Sequence, residues 1–137
     1  MRTKILVVYF SRTGTTKQAA EIIARKLKCG CGEIGDECDI KSHGIIVFGT
    51  PVQNAGLPPE VSDFLKGNDL RGVKIYPFFT TGGIYRYVIH DLKSLCPLSR
   101  INEPIYIYNR GSGNAVEENI NLICSWAEKI CAQEGIQ

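Results

Sequence analysis

TKILVVYFSRTGTTKQAAEIIARKLK, residues 3–28, carries a strand, a polar turn and a helix in one unbroken run. Its first eight residues are almost continuously apolar and rich in β-branched side chains, the pattern of a strand covered on both faces. From Thr16 to Lys28, Ala20, Ile23, Ala24 and Leu27 recur at helical spacing. Between the two lies Ser11-Arg12-Thr13-Gly14-Thr15-Thr16. A buried strand that turns directly into an amphipathic helix is the opening half of a parallel βαβ unit.

The same alternation continues along the chain. A weaker strand pattern spans 32–34, and GIIVFGT (44–50) reads as a buried strand ending at Pro51. Pro58 and Pro59 open a helix carrying Val61, Phe64 and Leu65, proline being tolerated in a first turn. VKIYPFFT (73–80) is a further strand, in which Pro77 lacks a ladder donor. Tyr85, Val88, Ile89, Leu92 and Cys96 place a helix over 84–96, and PIYIYN (104–109) is the last strand. A final helix over 114–133 is expected to bury Val116, Ile120, Ile123, Cys124, Ala127, Ile130 and Cys131. Five strands with right-handed crossovers predict a doubly wound α/β fold, a five-stranded parallel sheet of order 2-1-3-4-5 between two helical layers. Without repeats or linkers, residues 1–137 read as one domain.

Sixteen basic and 14 acidic residues give a net charge of +2. This excludes an acidic tail and gives no reason to expect nucleic acid as a partner. The apolar run from Ile5 to Phe10 is too short for a signal core or a membrane span, so a cytoplasmic protein without a membrane partner is expected. Six cysteines then read as free thiols. Cys29, Cys31 and Cys38 lack a fourth ligand at regular spacing, so no metal site is expected; Cys124 and Cys131 read as small core residues. His43 and His90 receive no catalytic role. Gly30-Cys31-Gly32-Glu33-Ile34-Gly35 satisfies the dinucleotide pattern G-x-G-x-x-G, but it follows a helix and opens none.

Ligands of doubly wound sheets bind beyond the carboxyl ends of the strands, at the switch point. The relevant loops are 11–16, 50–57 and 80–87, with 109–114 as a neighbour. In the first, four hydroxyls and a glycine at a helix N-terminus suit a phosphate dianion; the alternative is a polar helix cap without a ligand. The sequence S-x-T-G-x-T after an N-terminal strand resembles the FMN phosphate loop of the flavodoxin family. Thr50-Pro51-Val52 followed by Leu57-Pro58-Pro59, and Thr80-Thr81-Gly82-Gly83, resemble that family's second and third flavin loops. The resemblance spans essentially the whole chain. It implies FMN as cofactor, with Ser11, Arg12, Thr13, Gly14, Thr15 and Thr16 around the phosphate. Thr50, Pro51, Val52, Gln53, Asn54, Ala55, Thr80, Thr81, Gly82, Gly83 and Tyr85 would then lie at the isoalloxazine ring. Independently, Gly82-Gly83 permits close backbone approach to a flat ring or is simply a turn, and Tyr85 either stacks on the flavin or begins the helix stripe.

The chain also departs from the family. Gln53 and Asn54 stand where relatives often carry an aromatic residue, and Ala55 stands where a glycine is common near flavin N5. A restricted peptide at Ala55 would give the one-electron-reduced flavin less stabilisation. The four loops contain Arg12, Arg86 and Arg110 but no Asp or Glu, so a positive rim is expected. The resemblance implies electron transfer with a redox partner protein. An FMN-dependent NAD(P)H oxidoreductase acting on quinone-type acceptors and a cofactor-free module are the alternatives.

Overall fold

In a computed structural model, which describes residues 4–35 and 40–136, the N-terminal apolar run becomes β1 (Ile5–Tyr9) and the following amphipathic run α1 (Thr15–Leu27). They are followed by β2 (Gly30–Glu33), a single 3-10 turn (Ile40–Ser42), β3 (Ile45–Pro51), α2 (Pro59–Lys66) and β4 (Lys74–Thr81). Then come α3 (Val88–Leu95), β5 (Arg100–Ile101), β6 (Ile105–Tyr108), α4 (Ala115–Glu118) and α5 (Ile120–Glu134). Every pairing within the sheet is parallel: β1 lies between β2 and β3, and β3 pairs with β4. The expected order 2-1-3-4-5 is thus observed, with one difference at the far edge.

There β5 and β6 share the fifth position. Arg100 pairs with Lys74 at the start of β4, and Ile105–Tyr108 pair with Phe78–Thr81 at its end. Proline explains the split. Ile75 and Thr81 direct their carbonyls to Asn102 and Asn109 on the edge side, so Pro77, two residues from Ile75, faces that edge too. Its missing N–H falls where the edge strand is interrupted, at 102–104, and a second proline, Pro104, stands in the gap. The single strand expected over 104–109 is therefore the second of two short pieces.

Strand alternation divides the core between the two faces. Val7, Tyr9, Val47, Tyr76 and Phe78 pack under α1 and α5, while Val8, Ile46, Phe48, Ile75 and Phe79 pack under α2 and α3. Gly49 permits one of these contacts, since a Cβ there would overlap the Phe78 ring. That ring meets Trp126 edge-on at 5.9 Å. Between β2 and β3, where the described residues form a 3-10 turn and no α-helix, buried Ile40 fills the second face; Cys38 lies outside the described residues.

The C-terminal helix differs from expectation. It is broken at Asn119, whose amide donates to the carbonyls of Ala115 (2.8 Å) and Tyr108 (3.1 Å) and so anchors the break to β6. Ile120 turns outward, Cys124 and Cys131 are half-buried, and Trp126 takes the core position. Far from the loops, Lys74 and Tyr76 at the start of β4 bind Glu134. Burial opposes ionisation of Glu134, yet the hydrogen bonds from Tyr76 and Lys74 hold its carboxyl below the usual range.

Candidate functional site

The loops that follow β1, β3, β4 and β6 meet at the carboxyl end of the sheet, tied by backbone bonds. Phe10 donates to Gly49 (2.9 Å), Val52 to Thr80 (2.9 Å) and Asn109 to Thr81 (2.8 Å). In the first loop Gly14 caps α1 with φ 94°, a left-handed geometry that favours glycine. It brings no side chain to the helix N-terminus, and the first turn of α1 contains no acidic residue. Gln18 is the first residue of α1 whose N–H bonds back, to Gly14, at 3.0 Å. The N–H groups of Thr15, Thr16 and Lys17 therefore have no intrahelical partner, as at any helix start, and lie at the carboxyl end of the sheet. An uncapped helix start of this kind suits a tetrahedral anion.

The four hydroxyls of this loop do not behave alike. Ser11 Oγ accepts the Gly14 N–H at 3.0 Å and keeps its own proton to donate. Thr13 is exposed, and Thr15 accepts a long 3.4 Å bond from Asn109. Thr16 is buried, and its hydroxyl pairs with that of Thr80 at 2.8 Å. Thr16 thus holds α1 to β4, while the other three hydroxyls remain at the surface of the loop.

The second loop is a tight hairpin. Gln53 and Gly56 exchange both backbone bonds at 2.9 Å, and Asn54 and Ala55 between them have φ of 52° and 66°. Thr50 is fully buried with its hydroxyl on the Pro51 carbonyl; Pro51, Val52, Gln53 and Ala55 are half-buried, and Asn54 is exposed. In the third loop, Thr81 Oγ1 accepts the N–H of Gly83, which has φ 127°, at 3.0 Å. Gly82 is the uncommitted backbone donor of the glycine pair among the described residues.

Tyr85 lies outside the helix expected over 84–96, because α3 begins only at Val88. Two contacts hold this segment off the helical path: Tyr87 N–H bonds the Ala55 carbonyl at 2.9 Å, and the Tyr85 ring stacks on Tyr106 at 4.1 Å. Tyr108 stands edge-on to Tyr85, and their hydrogen bond raises the Tyr108 hydroxyl pKa. Ile84 and Tyr87, 72% and 53% exposed, form the outer lip.

The rim is less positive than the loop residues alone suggest. Arg12 lies over the Phe10 ring and donates to Gln53 (2.7 Å) and Glu60 (2.9 Å). Its own backbone N–H and then Arg12 hold the Glu60 carboxyl below the usual range. Glu118 enters similarly from α4 and accepts the Ser112 hydroxyl at 2.7 Å. Arg86 rests over the Tyr87 ring, and Arg110 is exposed; neither forms an ion pair among the described residues.

Residues 6–87 match the sequence profile of the flavodoxin domain. The chain belongs to the flavodoxin family. Among solved structures, the flavodoxin of Streptococcus pneumoniae TIGR4 superposes with a TM-score of 0.74 at 20% identity, covering 96% of this chain and 99% of its own. Oxidised Flavodoxin 2 from Bacillus cereus gives 0.69 at 23% identity, with 93% and 99% covered. A flavoprotein from Lactobacillus acidophilus NCFM, in complex with FMN, gives 0.64 at 18% identity, with 85% and 97% covered. At such identities these structures establish the flavodoxin fold alone. No curated protein sequence matches the chain. No helix among the described residues is long and apolar enough to cross a membrane.

Three groups that contact these loops have no local sequence signal. Glu60 lies beyond the second loop in α2, Tyr106 lies inside a strand pattern, and Asp91 lies within a helix. Asp91 accepts the Leu57 N–H from the second loop at 3.2 Å. Only the glycine and asparagine content of residues 109–114 marks the fourth loop in advance.

Proposed function

We propose that residues 1–137 form one FMN-binding domain that acts in electron transfer. The observation that carries this reading is the first loop: an α1 N-terminus without side-chain cap or acid, a left-handed glycine, and the hydroxyls of Ser11, Thr13 and Thr15 beside it. This donor set suits a phosphate monoester, whose charge is favoured at a helix start. Arg12, Gly14 and Thr16 complete that loop, with Thr16 acting through its bond to Thr80. Thr50, Pro51, Val52, Gln53, Asn54 and Ala55 would form one wall for the isoalloxazine ring, and Thr80, Thr81, Gly82, Gly83 and Tyr85 the other. FMN supplies reversible electron transfer when bound. The chain's own part is to bind it, orient it and leave an edge open to a redox partner protein, a task that needs no acid–base residue.

A second reading is an FMN-dependent NAD(P)H oxidoreductase, favoured by Arg86 and Arg110, which are exposed, form no ion pair among the described residues, and suit the phosphates of a dinucleotide. One experiment separates the readings. The purified protein, reconstituted with FMN, is expected to be yellow and to stay yellow when NAD(P)H is added without oxygen. Rapid bleaching by NAD(P)H would establish the oxidoreductase. A colourless protein that takes up no added FMN would establish a module without cofactor.

A further inference from the structure

The first turn of α3 touches the second loop at three successive residues. Tyr87 N–H bonds the Ala55 carbonyl at 2.9 Å, Asp91 Oδ2 accepts the Leu57 N–H at 3.2 Å, and the same oxygen occupies the space that a Cβ on Gly56 would need. Asp91 N–H in turn bonds the Tyr87 carbonyl at 2.9 Å, closing α3 behind the contact. The Asp91 carboxylate forms no ion pair among the described residues; it accepts a loop backbone N–H instead.

The glycine of this hairpin is misplaced for an ordinary turn. Two-residue hairpins with left-handed central residues favour Asn-Gly. Here the left-handed pair is Asn54-Ala55, and Gly56 follows without a positive φ. Gly56 therefore meets a demand for space, and that demand is Asp91. Ala55 meets a strained backbone, a state that persists only where its surroundings over-determine it. The contacts at 55, 56 and 57 provide that determination. An aspartate in a helix's first turn also favours the helix dipole, but the dipole does not require its oxygen to lie on Leu57 N–H with a glycine opposite.

We propose that Asp91 is a positioning residue that, together with Gly56, locks the Asn54–Ala55 turn as a preformed wall of the proposed flavin site. Its role toward FMN rests on the proposed function; its hold on the turn does not. A wall already in place removes the ordering cost that a mobile loop would add to binding.

The test measures FMN dissociation constants and the hydrogen exchange of the Leu57 amide in flavin-free protein. The variants are Asp91→Ala, Asp91→Asn, Gly56→Ala and Gly56→Ala/Asp91→Ala. Asp91→Ala is expected to weaken FMN about tenfold and to speed Leu57 exchange by a similar factor, the effect of losing one charge-assisted bond. Asp91→Asn keeps an acceptor oxygen and is expected to stay within about threefold of the native chain in both readouts. Gly56→Ala alone is expected to be at least as damaging as Asp91→Ala, and the double variant no worse than Asp91→Ala, because the overlap is gone. Failure of Asp91→Asn to rescue, additive losses in the double variant, or faster Leu57 exchange with unchanged FMN affinity would each overturn the proposal. A native chain that binds no FMN would overturn the functional reading and Asp91's role toward the flavin. Leu57 exchange would then still decide whether Asp91 holds the turn.

Discussion

The first and second loops solve opposite problems at the same end of the sheet. The first leaves donors unspent: the α1 N-terminus has no side-chain cap, and the hydroxyls of Ser11, Thr13 and Thr15 stay at the surface. The second spends its polar groups internally, in the reciprocal Gln53–Gly56 pair, the Tyr87–Ala55 bond and the Asp91–Leu57 bond. An anion can satisfy the first loop; nothing needs to satisfy the second. Affinity for a phosphorylated ligand should therefore concentrate in the first loop, and shape in the second.

The strongest way to break that contrast is to remove the unspent hydroxyls together. Ser11→Ala/Thr13→Ala/Thr15→Ala removes three donors, each worth about 1.5–3 kcal/mol to a charged acceptor and not fully additive. FMN affinity is expected to fall by about a hundredfold or more, with riboflavin affinity nearly unchanged because riboflavin lacks the phosphate. Titration of both flavins by fluorescence quenching checks this. Equal losses for FMN and riboflavin would show that the hydroxyls shape the loop rather than hold a phosphate.

The contrast also separates what the sequence reveals from what it hides. The first loop is legible because its strand, hydroxyls, glycine and helix are consecutive, so local pattern and local structure coincide. The order of the sheet is legible for the same reason, each long strand being a continuous apolar run. The second loop is legible in its place after a strand and in its Thr50-Pro51-Val52 resemblance, but not in what holds it. Its support comes from Asp91, 34 residues away from Leu57, and from Arg12, which reaches Glu60 across 48 residues. No window along the chain contains such pairs. Counting charges loop by loop therefore leaves Arg12 bare, although the fold gives it a carboxylate. The two-residue β5 is hidden for a different reason: two residues cannot display a period of two.

Thr16 sharpens the comparison, because it sits in the first loop but behaves like the second. Its hydroxyl is committed to Thr80 inside the protein, with the two residues 2% and 5% exposed. Thr16→Val leaves the Thr80 hydroxyl buried without a partner and is expected to cost about 1–3 kcal/mol of folding stability. The double variant Thr16→Val/Thr80→Val removes both groups and should recover most of that loss in urea unfolding. If the single variant is as stable as the native chain, the pair is not the link between α1 and β4 that the geometry implies.

The smallest effect is expected where the second loop is strained. Ala55 at φ 66° bears the left-handed penalty of about 1–2 kcal/mol that glycine would not. Ala55→Gly relieves it but raises the entropy of the unfolded chain, an opposing term of about 0.4–1 kcal/mol. The net is a gain of about 0.5–1 kcal/mol, read as a higher urea midpoint with an unchanged slope. The gain should persist in the Asp91→Ala background, because the strain belongs to the backbone of Ala55 and not to the contact that holds it. If Ala55→Gly instead destabilises the chain, the methyl group is packing rather than straining. The second loop would then be held by its own side chains and not by α3.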